Sequence, residues 1–166
     1  MLKCNEIQNR HSCRCYYKEK KIPQEIINTL IMAASLAPTG KNIQPWRFRI
    51  ITDENVISGL ANYLPNNKWI LTAPCLVIVY LDTNESYSLE KDTMAIGAAI
   101  ENILLEAESN GISSCWLGEC LEKADTINRY LGSMEKVKLM AVITLGYERR
   151  KMIRAAKKSI HDLILE

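Results

Sequence analysis

The sequence predicts an α+β fold, a mixed α/β sandwich in which helices pack on a central sheet of about four strands. Three observations carry that expectation. Apolar stripes at helical spacing alternate along the chain with short β-rich runs. The run Cys75-Leu76-Val77-Ile78-Val79-Tyr80-Leu81 has no polar interruption and reads as a central strand covered on both faces. The seven glycines (40, 59, 97, 111, 118, 132 and 146) never fall into G-x-G-x-x-G spacing, which argues against a dinucleotide-binding fold. With 166 residues, 48% of them apolar, residues 1–166 are expected to form one domain whose core needs no covalent staples.

Taken in order, Pro23 suits a first helical turn, and Ile26, Ile27, Leu30, Ile31, Ala34 and Leu36 follow at near-helical spacing as far as Pro38. Trp46, Phe48 and Ile50 then alternate with Arg47 and Arg49, the period of a half-exposed or edge strand. Thr52 or Asp53 starts a short helix to about Leu64. After Pro74 and the central strand, a helix spans Asp92 to Ser109. Its apolar positions keep helical spacing, and Met94, Ala95, Gly97 and Ala98 leave little polar surface at its start, so it is expected to be buried. Gly111 suits the helix C-terminus, Ser113 to Leu117 is a short extended piece broken by Gly118, and a helix runs from about Leu121 to Leu131. Lys138 to Leu145 is the last strand, followed by a basic stretch from Arg149 to Lys158.

Composition narrows the function. A formal charge of +2, from 21 Lys and Arg against 19 Asp and Glu, with a pI near 8.2, is too mild for a nucleic-acid footprint. The longest uninterrupted apolar run falls far short of the roughly 20 residues that span a bilayer, so neither nucleic acid nor membrane is an expected partner. The chain reads as a cytoplasmic protein, its six cysteines being expected to stay reduced. Two histidines near the chain ends supply no metal-ligand spacing and no nucleophilic triad, so neither a metal site nor hydrolysis is expected.

Two polar segments stand out. In Ala37-Pro38-Thr39-Gly40-Lys41-Asn42-Ile43-Gln44-Pro45-Trp46, Pro and Gly set the backbone while polar side chains present hydrogen-bonding groups. Upstream, Arg10, Ser12 and Arg14 alternate, so an extended backbone places them on one face, where they either grip an anion or form a solvated arm. Together the segments suggest an anionic, planar cofactor. Cys13 and Cys15 flank Arg14 and are either buried, inert thiols or a C-x-C redox sensor. Trp116 is a core anchor, unless the backbone amides near Gly118 face a ligand, an arrangement made easy by glycine.

In this order the pieces resemble the FMN-dependent nitroreductase family. Arg10-His11-Ser12-Cys13-Arg14-Cys15-Tyr16 is similar to the family's R-R-S-x-R-x-[FY], and the loop from Ala37 to Trp46 to A-P-S-x-x-N-x-Q-P-W. Gly111-Ile112-Ser113-Ser114-Cys115-Trp116-Leu117-Gly118 resembles G-[LI]-G-[ST]-x-W-[IL]-G, and Leu145-Gly146-Tyr147 with Lys157-Lys158-Ser159 resembles the closing strand and basic phosphate anchor. The resemblance implies a mostly antiparallel sheet of about four to five strands and a homodimer with FMN at its interface. It implies that Arg10, Ser12 and Lys157 hold the phosphate, with His11 where a second arginine is common, leaving a charge that depends on pH. Arg14 would reach the ribityl chain or the N1/O2 edge, and Pro38, Thr39, Gly40 and Asn42 would come from the other subunit. Trp116, Leu117 and Gly118 would lie against the ring with a backbone amide near N5, and Asn66 and Lys68 would meet the pyrimidine edge.

The implied activity is a ping-pong oxidoreduction, from NADH or NADPH through flavin to an electron-poor acceptor such as a nitroaromatic or quinone, with no catalytic side chain. Alternatives are a flavin-binding member with specialised or no general nitroreductase activity, a thiol redox sensor using Cys13 and Cys15, or a small binding module using the basic N-terminal arm. Ser113 replaces the family's usual glycine, and the short Trp46-to-Asp92 spacing implies that no large helical insertion roofs the site.

Overall fold

The computed structural model describes residues 3–65, 67–132, 136–152 and 155–165. Helices α1 (Asn5–Asn9) and α2 (Gln24–Ser35) and a 3-10 turn at Gly40–Asn42 precede β1 (Trp46–Ile51). Then follow α3 (Glu54–Ala61), α4 (Asn67–Ile70), β2 (Cys75–Asp82), α5 (Leu89–Ser109), β3 (Ser113–Leu117), a 3-10 turn at Glu119–Lys123, α6 (Ala124–Leu131) and β4 (Val137–Gly146). The strands form one antiparallel sheet in the order β1-β2-β4-β3, which gives the α+β sandwich that the sequence predicts.

Strand β2 is central because both of its faces are apolar. Cys75, Val77, Val79 and Leu81 pack with α2 and α5, while Leu76, Ile78 and Tyr80 pack with α3, α4 and α6. At about 1.5–3 kcal/mol for each large apolar side chain removed from water, the two layers stabilise the sheet from either side. The β2–β4 register shifts between Val79, opposite Ala141, and Tyr80, opposite Leu139. Met140 is therefore the extra residue of a bulge, packed on the α5 side.

The N-terminal segment extends the sheet beyond β3. Ser12 forms a parallel bridge with Ser114, and Tyr16 an antiparallel bridge with Glu148. Backbone bonds from Cys13 N to Ser114 O and from Arg149 N to Cys15 O, both 2.9 Å, fix this segment. Tyr16 is 1% exposed, and its hydroxyl donates to Cys13 O and shares a bond with Thr144 Oγ1, both 2.8 Å.

Several boundaries differ from expectation, each for a local reason. Helix α5 begins at Leu89, one turn before Asp92. The Asp92 carboxylate turns upstream, where Oδ2 accepts from Ser86 Oγ (2.7 Å), Tyr87 N (3.1 Å) and Ser88 N (3.2 Å). The expected helix from Leu121 is a 3-10 turn as far as Lys123, whose φ of −119° and ψ of 20° separate it from α6. Helix α3 ends at Ala61 rather than near Leu64, and Asp53 caps its start by accepting from Asn55 N and Val56 N. Helices α1 and α4, of 5 and 4 residues, are too short to show a periodicity. Among the described residues no helix is long and apolar enough to cross a membrane.

Candidate cofactor site

A cavity of about 540 Å³ lies between α5, the end of β3 and the N-terminal segment. It is lined by Arg10 and Ser12, by Ile96, Gly97 and Ile100 of α5, and by Trp116 and Gly118. The alternation of β3 explains the wall. Cys115 and Leu117 enter the core beside α3 and α6, so Trp116 faces the opposite way. Its ring is 42% exposed, which makes it a cavity wall rather than a core anchor. Gly97 lies beside the Trp116 ring, where a Cβ would stand in ordinary contact 3.8 Å from Trp116 Cη2. Gly118 has φ −80° and ψ −27°, and a Cβ would meet nothing within 4 Å, so the turn needs no glycine for its own backbone.

Charge is set at the Arg10 end of the cavity. Arg10 Nε lies 3.2 Å from Glu101 Oε1, with side chains 25% and 45% exposed. Ser12 is held in place by the bridge to Ser114. Burial pushes the Cys115 thiol up, opposed by a hydrogen bond from Ser12 and by the positive charges of Arg14 and Arg10, so the fields of both arginines converge on this strand. Arg14 is nevertheless not among the lining residues described. Its guanidinium stacks 4.8 Å from the centre of the Trp69 ring. His11 points away from the cavity lining, its Nε2 being 2.9 Å from Glu148 Oε1 and its Nδ1 3.2 Å from Asn9 O.

The other sequence-selected residues lie elsewhere in the chain. Pro38, Thr39, Gly40 and Asn42 sit in a loop packed against the start of α5. A Cβ on Gly40 would stand 1.8 Å from the Tyr87 hydroxyl oxygen, so the half-exposed Tyr87 ring packs on the glycine and would have to move aside for a larger residue. Lys41, Asn42 and, past a right-handed Ile43, Gln44 have φ of 56°, 56° and 54°, a left-handed conformation that side chains other than Asn adopt only at a cost. Thr39 Oγ1 accepts from Gln44 N at 3.3 Å and steadies the loop. Leu117 is buried, pairs with Val142 of β4 and is not among the lining residues described. Lys68 is exposed on α4 beside Trp69, and Lys157 is exposed in the C-terminal segment. Asn66 lies outside the described residues.

Cys13 is 1% exposed and its thiol is pushed up to about 11, chiefly by burial, which opposes a role as a reactive thiolate at neutral pH. Sequence reasoning missed Glu101, Thr93 and Met140 as cavity residues. Glu101 follows Gly97 by one helical turn, and that spacing was its available signal. Met140 depends on a bulge that no sequence pattern announces. Thr93, Leu121 and Met140 also line a second cavity of about 800 Å³ at the α5 N-terminus.

Comparison with known proteins bears on what fills the first cavity. The profile described as "Nitroreductase family" matches residues 7–66 and 60–147. A protein of Archaeoglobus fulgidus, provisionally named NADH dehydrogenase/NAD(P)H nitroreductase, is 32% identical over 146 residues, covering 86% of this chain and 83% of its own. The iodotyrosine deiodinase of Thermotoga neapolitana is 25% identical over 165 residues, covering 84% and 85%. The crystal structure of a provisionally named nitroreductase from Desulfovibrio desulfuricans in complex with FMN superposes with a TM-score of 0.92 at 29% identity, covering 98% of this chain and 94% of that one.

Proposed function

Because the chain belongs to the nitroreductase family, we propose that it is an FMN-dependent oxidoreductase carrying electrons from NADH or NADPH to an electron-poor small molecule such as a nitroaromatic or quinone. The observation that carries this reading is the cavity itself. One space of about 540 Å³, a size suited to a mononucleotide, is bordered by an arginine and a serine as well as by an indole and a glycine turn. A guanidinium fork and a hydroxyl suit a phosphate, and an apolar wall beneath exposed backbone suits a flat heterocycle.

When bound, FMN supplies the hydride chemistry at its N5. Arg10 and Ser12 hold the phosphate, with Lys157 as a further cation from the C-terminal segment. Trp116 and the Leu117-Gly118 backbone orient the ring. Arg14 adds positive field that favours an electron-rich flavin, and Asn66 and Lys68 meet the ring's polar edge. Pro38, Thr39, Gly40 and Asn42 reach the cofactor of a second copy in a homodimer, which gives the loop's left-handed backbone a purpose that the isolated chain does not. His11, bonded to Glu148, fixes the segment that carries Arg10 and Ser12. No side chain is assigned as an acid or base.

The test is the visible spectrum of the purified protein with chromatography of the heat-released supernatant. Flavin bands and released FMN are expected, and Arg10→Ala is expected to weaken FMN binding by roughly 1.5 to 3 kcal/mol. A colourless protein that also fails to take up added FMN overturns the proposal. The likeness to the Thermotoga deiodinase favours a second reading, reductive dehalogenation of an aromatic substrate, which assays on halophenols and nitroaromatics separate.

A further inference from the structure

We propose that Glu101 is an internal counter-anion whose charge opposes that of the ligand's phosphate at Arg10 and thereby keeps the phosphate end of the cavity exchangeable. This rests on the flavin reading above. Helix α5 presents Gly97 and Glu101 to the cavity one turn apart, and the glutamate is the acid placed beside the cradle's arginine. Its Oε1 lies 3.2 Å from Arg10 Nε, so the arginine that meets an incoming anion is already half of an ion pair. The guanidinium has five donors, and engagement of Nε leaves its terminal nitrogens free for a bidentate grip. The carboxylate thus orients the fork while subtracting its charge. A phosphomonoester dianion held by those nitrogens sits about 6 Å from the carboxylate, and at water-like dielectric that repulsion is worth about tenfold in affinity. An uncharged ligand end is not subject to it.

Glu101→Gln isolates the charge, since the amide oxygen still accepts from Arg10 Nε. The experiment titrates wild-type and variant apoprotein with FMN and with riboflavin, following flavin fluorescence at low ionic strength. The FMN-to-riboflavin affinity ratio is expected to rise about tenfold in Glu101→Gln and to stay within about twofold of wild type in Glu101→Asp, which keeps the charge. The gap between wild type and Glu101→Gln should shrink in 1 M salt, where the screening length falls to about 3 Å. If Glu101→Gln is unstable, Glu101→Ala removes the same charge and the same rise is expected. A ratio unchanged on removing the charge, with both flavins bound, overturns the role of Glu101 and leaves the flavin reading intact. Failure of wild type to bind either flavin overturns both.

Discussion

The Tyr16 hydroxyl ties together three strands of chain at one buried point. It donates to Cys13 O and accepts from Thr144 Oγ1, whose oxygen also lies 3.4 Å from Cys115 O. Removal of one oxygen leaves neighbouring polar groups short of a partner in a site that excludes water. Tyr16→Phe is therefore expected to lower stability by about 1 to 3 kcal/mol, read as a shift in urea midpoint with unchanged slope. Because Cys13 adjoins Ser12, the same variant should also loosen the anion cradle. At this scale the sequence was legible where the backbone is regular. Alternation put Arg10 and Ser12 on one wall because Ser12 is bridged to β3, but beyond Ser12 that regularity lapses and Arg14 turns to Trp69. Trp116 taken alone left core anchor and ligand wall both open, and only the family resemblance put it at the cofactor, because the face a strand shows to its neighbour depends on helix packing that its own five residues do not encode.

Helix α5 shows what an element adds. Its stripe of Ile96, Ile100, Ile103 and Leu104 was visible in the spacing, yet its first turn is organised by a carboxylate that faces upstream. Asp92 is 0% exposed, and its Oδ2 accepts all three bonds to the Ser86–Ser88 turn. Asp92→Ala should cost about 2 to 4 kcal/mol, since it abandons two backbone amides and a hydroxyl, whereas Asp92→Asn keeps an acceptor and should cost less than half as much. Thermal melts compare the two, and hydrogen exchange at the Tyr87 and Ser88 amides locates the damage. Tyr87 packs on Gly40, so loss of the turn is also expected to reach the left-handed loop. Sequence places an aspartate near a helix start but does not say which way its carboxylate turns.

Across the whole molecule, thiols are buried on both faces of the sheet. Cys75, on the α2 and α5 side, is pushed up to about 12, while Cys13 and Cys120 on the other side are each pushed up to about 11, burial being the main cause for all three. Their ordinary value is 9.0, so the unfolded chain sheds these protons first. The contribution to stability is complete below about pH 9 and falls as pH rises toward 11 to 12. Urea midpoints between pH 7 and 10.5 should drop steeply above 9, and replacing Cys75 by Ala or Val should flatten that drop. The central place of β2 between two apolar layers was within reach of sequence reasoning because β2 is apolar throughout, whereas the order of the other strands was not read from it. The docking of the N-terminal segment on β3 was not, because it depends on two isolated bridges.

That docking has a consequence for how the protein is born. His11 sits between Arg10 and Ser12, and its partner Glu148 lies 137 residues further along the chain. At 5–20 residues per second, a ribosome needs about 7 to 27 s to synthesise that interval. Arg10's partner Glu101 is made before Glu148, but a nascent chain arrested before β4 still carries the cradle without Glu148 or Met140 to complete it. Residues translated well before β4 are thus among the last to acquire their role.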